Sequence, residues 1–337
     1  MRLYIDKENM ISFLASKQKK GFRFCRQMMV NQLDLFFNFT KKEAREIEGF
    51  DTIAYELADG VANRDICYLK EGEQKYPIRP LKVTCANEFD RQSLMSVFLL
   101  ADEKAVTIKE RQEIMISQCG TEVDLLNRLY FEDCQYEDRD LVKNINQWSQ
   151  FEQYVLPSTD IILIDQYILS DDSIYKYNVY PLLKILASPT PDKKINIVVI
   201  TKKEHFNPQT KHTFVPDWNG ISAQIKLNLK KKHAVINVTF VLLPSWMKDQ
   251  KTEEHDRTIL TNYRRYYSGD SFNYVSSTGK IISAGREWEV SSLARKKNHN
   301  LAIQLLEDIQ YRIDEMKKLN NPDLIIGDKE SCFLSFW

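Results

Sequence analysis

Residues 255 to 273 read HDRTILTNYRRYYSGDSFN. His255 and Arg257 are followed, after four intervening residues, by Asn262, and after seven more by Asp270, Ser271 and Asn273. An imidazole attacks or shuttles protons near neutral pH, a guanidinium fork matches two phosphate oxygens, and serine and asparagine donate hydrogen bonds without adding charge. In this order the residue types suit a phosphoryl group. His255 would attack phosphorus, while Arg257, Ser271 and Asn273 would stabilise the charge that gathers on the non-bridging oxygens. Two plainer readings stand beside this one. The same groups would hold a phosphate without cutting it. Alternatively the stretch is an ordinary hairpin: Tyr263, Tyr266, Tyr267 and Phe272 alternate with polar residues, Ser-Gly-Asp is good turn chemistry, and His255 and Arg257 share a strand face as any i and i+2 pair does.

The charge around the stretch favours an anion. The chain of 337 residues has no net charge, yet residues 51–200 carry 16 basic against 25 acidic residues and residues 201–300 carry 17 against 9. Lys230, Lys231 and Lys232, together with Arg264 and Arg265, are candidate contacts for a phosphate or nucleic-acid backbone. The lysine run also reads as a solvated face. Apolar runs such as INIVVIT and VINVTFVLL are strand-sized, too short for a membrane span, and the N-terminal MRLYIDKENM has no apolar leader. A cytoplasmic protein is therefore expected. Its six cysteines, Cys25, Cys67, Cys85, Cys119, Cys134 and Cys332, form no CxxC pair or zinc spacing. They read as reduced thiols, and neither a metal nor a cofactor is expected.

The elements that would position these groups change character near residue 157. Before it, apolar residues at helical spacing in MISFLASK, FCRQMMVNQLDLFFNF, RQSLMSVFLLADEKA, ERQEIMISQ, TEVDLLNRLYFED and LVKNINQWSQFEQYV predict a mainly helical domain over 1–156, with RLYID a short strand and Thr40 an N-cap. After it, DIILIDQYIL, SIYKYNVYPLLKILA, KINIVVITK, NGISAQIKLNLKKKH and AVINVTFVLL alternate strand and helix. Continuous apolar strands of this kind mark a sheet covered on both faces. HDRTILTN, RRYYSGDSFNYV and KIISAGREWEVSSLA then read as strands, and residues 296–319 as a long amphipathic helix. Residues 320–337 form a tail whose apolar end docks on the body. The fold class is α/β: a helical N-terminal domain, then a mixed sheet covered by helices.

With its spacing, the motif resembles that of the phospholipase D superfamily, HxK, four residues, Asp, six residues, then GSxN or GGxN. The resemblance covers residues 157–319 and includes the order of strands and helices before the motif. Asp165-Gln166-Tyr167 is similar to the DPY-type strand that opens many small members. The HDR wording is similar to the phospholipase-D-like domain at the C-terminus of MIT-domain proteins, a membrane-binding and non-catalytic module. Arg257 stands where the superfamily has Lys, Asn262 where it has Asp, and the last block falls one residue late. The resemblance implies a metal-independent phosphodiesterase in which His255 forms a phosphohistidine and a second histidine protonates the leaving oxygen. His205, His212, His233 and His299 begin no such motif. One motif per chain implies that the complete site is built by a homodimer. The basic 201–300 stretch favours nucleic acid over lipid as substrate, hence a nuclease. The Lys-to-Arg and Asp-to-Asn departures favour a rival of another class: a non-catalytic phosphate-binding or interaction module, with residues 1–156 engaging a protein partner.

Overall fold

The computed structural model describes residues 1–59, 65–72, 95–101, 115–130, 140–142, 147–169, 174–189, 194–207, 211–230, 235–244, 257–276, 278–280 and 288–336. The chain divides into two compact units, Met1–Asp138 with Ser292–Leu301, and Arg139–Ser291 with Ala302–Trp337.

In the first unit the elements are β1 (Arg2–Ile5), α1 (Lys7–Ala15), α2 (Phe22–Gln32), β2 (Asp34–Phe37), α3 (Lys41–Ala44), α4 (Phe50–Asp59), β3 (Ile66–Tyr68), β4 (Val97–Leu99), β5 (Ile116–Ser117) and α5 (Glu122–Tyr130). The strands form one sheet in the order β3-β2-β1-β4-β5, and every pairing is parallel. This corrects the expectation of a mainly helical segment. The apolar run ending in LDLFFNF leaves its helix at Gln32. Leu33, Leu35, Phe37 and Phe39 then alternate with more polar or less buried neighbours and are themselves shut off from solvent, the period-2 pattern of a strand. β3, β4 and β5 span only two or three residues, too few for any periodicity to register. Thr40 caps α3 as expected, in a reciprocal box: its Oγ1 accepts from Glu43 N at 3.2 Å, and Glu43 Oε2 accepts from Thr40 N at 2.8 Å. Gly21 opens α2 at φ 81°, and a Cβ there would overlap the Asn127 amide, so both backbone and space demand glycine.

The second unit holds β6 (Asp140–Val142), a 3-10 turn (Trp148–Tyr154), β7 (Asp160–Ile164), α6 (Ile174–Tyr177), α7 (Val179–Leu186), β8 (Lys194–Lys202), β9 (His205–Asn207), β10 (His212–Phe214), α8 (Trp218–Leu229), β11 (Val235–Leu243), β12 (Arg257–Leu260), β13 (Arg264–Ser268), β14 (Trp288–Ser292), α9 (Lys296–Lys318) and β15 (Ile325–Gly327). The unit boundaries assign the last residue of β14 and the first six residues of α9 to the other unit. The helix expected across residues 141–155 is instead β6 followed by the 3-10 turn. Eight strands share a mixed sheet in the order β15-β11-β8-β7-β12-β13-β14-β6. β7, β8 and β11 are parallel, whereas β12 runs antiparallel to β7 and β13 antiparallel to β12. In β8 every residue from Ile195 to Thr201 is buried, which is why its sequence is apolar without alternation. Asp217 caps α8 by accepting from Gly220 N at 3.0 Å, and the helix packs on β11. The tail adds β15 antiparallel to β11 and buries Phe333, Leu334 and Phe336.

Candidate functional site

β7 and β8 end at Ile164 and Lys202, while antiparallel β12 begins at Arg257, opposite Ser268 at the end of β13. One end of the sheet therefore collects the residues after β7 and β8, the start of β12 and the loop after β13. Asp165 sits there, 1% exposed. Its Oδ1 accepts from Tyr167 N at 2.9 Å, and its Oδ2 accepts from Ser271 Oγ and from Phe272 N, both at 2.7 Å. Burial raises its pKa above the ordinary aspartate value, against the pull of these three donors and of the Arg257 charge. Asn273 Nδ2 donates to Tyr167 O at 2.7 Å, and Asn273 Oδ1 is buried with no donor to it among the described residues.

Two cations meet over one ring. Arg257, 7% exposed, donates from Nη1 to Gly269 O at 3.0 Å, and its guanidinium lies 5.5 Å from the centre of the Tyr167 ring. Lys202 Nζ lies 4.5 Å from the same ring centre and donates to Tyr167 Oη at 3.2 Å. Arg257, Ser271 and Asn273 are thus brought together with Asp165 and Tyr167. The pairing register alone brings this about, since Arg257 lies opposite Ser268, three residues before Ser271. Lys202 is an addition that the sequence hid at the end of a continuous apolar strand.

Other candidates lie elsewhere. Asn262 is fully buried at the opposite end of β12, where its Oδ1 accepts from Thr159 N at 2.9 Å and Asp160 N at 3.4 Å and its Nδ2 donates to Thr159 Oγ1 at 3.1 Å. It ties β12 to the start of β7 and does not reach the Arg257 cluster. Beside it, Asp160 accepts from Ser331 Oγ at 2.7 Å, Cys332 N at 2.6 Å and Asn196 Nδ2 at 3.0 Å, which fastens the tail. Arg264 is 1% exposed and donates from Nε to Tyr154 O at 3.3 Å, so it stands in the interior and not on a nucleic-acid-binding surface. Arg265 is half-buried, with its guanidinium 5.4 Å from the Tyr267 ring centre. Lys230 is exposed at the end of α8. His255, Lys231 and Lys232 lie outside the described residues.

The first unit has a polar cluster that sequence reading passed over. In its sheet order the strands on either side of β1 and β4 lead away from each other, and the crevice beyond the C-terminal ends of two such strands is where open parallel sheets take ligands. Asp6 follows β1 and is 5% exposed; its Oδ1 accepts from Asn38 Nδ2 at 2.8 Å and its Oδ2 from Ala101 N, just past β4, at 3.1 Å. Glu122, which opens α5 after β5, is fully buried; its Oε1 accepts from Asn9 Nδ2 at 3.0 Å and its Oε2 from Ser12 Oγ at 3.2 Å and Gly120 N at 3.0 Å. The signal available in the sequence was YID followed three residues later by asparagine, an acidic residue directly after a short apolar strand.

No family model matches the sequence, and no curated protein matches it. Among the described residues no helix is long and apolar enough to cross a membrane.

Proposed function

We propose that the second unit is a phospholipase-D-like domain that takes a phosphodiester, in nucleic acid rather than lipid, at the end of the sheet formed by Arg257, Lys202, Tyr167, Ser271 and Asn273. The observation that carries this reading is the convergence of Arg257 with Ser271 and Asn273, fourteen and sixteen residues further on, around Asp165 and Tyr167. The charges of Arg257 and Lys202 at this end would meet a phosphate. In the reaction an His255 ring nitrogen attacks phosphorus, the P–O bond to the leaving group breaks, and that oxygen takes a proton from His255 of a second copy of the chain. Water then attacks the phosphohistidine, the P–N bond breaks, and the water proton returns to the second histidine. Asn262 has no part in these steps and acts as a structural tie.

The test is cleavage of labelled oligonucleotides by the full chain in EDTA. His255→Ala should lower cleavage by about a thousandfold or more with affinity nearly kept, because the loss falls on the transition state alone. Arg257→Ala should weaken both. Cleavage unchanged in His255→Ala overturns the catalytic reading. One observation favours a second reading, a module that binds phosphate without cutting it. Ser271 and Asn273 give their protons to Asp165 and Tyr167, so these donors hold the loop in place. On that reading the wild type cleaves nothing, and only Arg257→Ala and Lys202→Ala weaken binding.

A further inference from the structure

The carboxylates of Asp6 and Glu122 are buried near the switch point of the first sheet, and among the described residues all the donors they accept from are uncharged. No ion pair to either forms among the described residues, and Lys19, which reaches the same loop by donating to Gly120 O at 2.5 Å, is paired with Asp124 at 3.3 Å. Hydrogen bonds offset part of the cost of burying these carboxylates, yet buried charges are ordinarily also paired with a counter-charge or bound to a metal ion. A second, independent feature points the same way. Asn9 is fully buried, its Nδ2 faces Glu122, and its Oδ1 has no donor among the described residues. Asp6 is the N-cap residue of α1 and Asn9 lies in the helix's first turn, three residues on.

We infer that the first unit binds a hydrated magnesium ion at Asp6, Asn9 and Glu122. Among the described residues no three histidine, cysteine or acidic side chains are grouped as a metal cage, which argues against a zinc-type site. Magnesium is different. It keeps several waters, takes one or two carboxylates from the protein, and completes its octahedron with phosphate oxygens of a substrate. Two carboxylates and an amide oxygen are a donor set of that kind. The ligand class it would take is a phosphate-bearing molecule brought in with the metal. This site is separate from the Arg257 cluster and does not depend on the reading given to that cluster.

The experiment is Mn2+ binding, read by electron paramagnetic resonance and competed by Mg2+, on the full chain. Wild type should bind Mn2+ and release it to excess Mg2+. Glu122→Gln and Asp6→Asn should weaken binding by about tenfold or more. Asn9→Asp should tighten it, since a carboxylate replaces a neutral oxygen, and its melting temperature should rise more with Mg2+ than that of the wild type. Glu122→Gln should stay folded without metal, because Asn9 can turn its amide and present Oδ1 to the new amide group. His255→Ala and Arg257→Ala should bind Mn2+ as the wild type does. Absence of binding by the wild type, or equal binding by folded Glu122→Gln, overturns the inference. So does a loss of binding in Arg257→Ala, since that would move the ion to the other unit.

Discussion

Both units gather polar side chains beyond the C-terminal ends of parallel strands, yet they do so with opposite charge. At the end of β7 and β8, Arg257 and Lys202 flank Tyr167, and Asp165 spends its buried carboxylate on the loop that carries Ser271 and Asn273. At the end of β1 and β4, Asp6 and Glu122 form no ion pair among the described residues, and Asn9 keeps an acceptor in reserve. The same sheet geometry therefore gathers cations in one unit and carboxylates in the other. The difference extends to the buried carboxylates. Asp165 and Glu122 each satisfy three donors, but Asp165 also has the Arg257 charge nearby, whereas Glu122 forms no ion pair among the described residues.

Removing each carboxylate tests this contrast, and the largest effect is expected at Asp165. Asp165→Ala leaves Ser271 Oγ and the buried Phe272 N and Tyr167 N without their acceptor and should cost about 3 kcal/mol. Urea unfolding gives the magnitude, and hydrogen exchange at residues 271–273 locates it. Asp165→Asn keeps one acceptor oxygen and should fall between Ala and wild type. A change within about 0.5 kcal/mol, the range of ordinary surface substitutions, would mean that Asp165 is not the tie that these contacts make it.

Acid should strain the two units through different histidines. Burial lowers the His205 pKa to about 4, with the Lys202 charge adding, and lowers that of His299 to about 3, with the Met1 amino group and Arg2 adding. In both cases the unfolded chain binds the proton more readily than the folded one. Stability from these groups is therefore complete above pH 6.5 and falls as pH drops, toward pH 4 for His205 and pH 3 for His299. The loss should be on the order of 2 kcal/mol each, since one pKa unit corresponds to about 1.4 kcal/mol and part of each group remains near solvent. His205→Phe should flatten the acid limb of unfolding in the second unit alone, seen by hydrogen exchange across β8 and α8. A flattening in both units would show that their stabilities are not separable.

The second sheet was legible because its strands are long. Residues 194–202 and 235–243 are nine-residue apolar strands whose burial overrides any ambiguity of period. The first sheet was not, because β3, β4 and β5 have three, three and two residues, and a Phe- and Met-rich helix runs almost directly into β2. Site residues followed the same logic. Arg257, Ser271 and Asn273 announce themselves through spacing within one short stretch. Asp6, Asn9 and Glu122 come together only through the order of strands, with more than a hundred residues between Asn9 and Glu122. Asn262 shows the limit of spacing: its position in the motif is regular, but an extended strand carries it to the other end of the sheet from Arg257.

A smaller effect separates the two carboxylates further. In metal-free buffer Glu122→Gln should cost about 1 kcal/mol, less than Asp165→Ala, because Ser12 Oγ and Gly120 N keep an acceptor while a turned Asn9 leaves its own Nδ2 without one. Thermal unfolding with and without EDTA measures this. A loss comparable to that of Asp165→Ala would make Glu122 a structural residue and erase the contrast.

The smallest expected effect lies on the surface of the second unit. Lys230 is exposed at the end of α8 and leads into Lys231 and Lys232. If this run contacts a nucleic-acid backbone, each phosphate it neutralises releases counterions, and the dependence of binding on salt steepens by about 0.9 per contact. Lys230→Glu should then weaken oligonucleotide binding by a few-fold at low salt and reduce that slope by about one. Stability should not change, since an exposed lysine at a helix end has little packing to lose. Arg257→Ala must behave differently, weakening binding at every salt concentration, because a buried guanidinium is poorly screened. Equal salt slopes for Lys230→Glu and wild type would leave the lysine run a solvated face and confine the anion site to the end of β7 and β8.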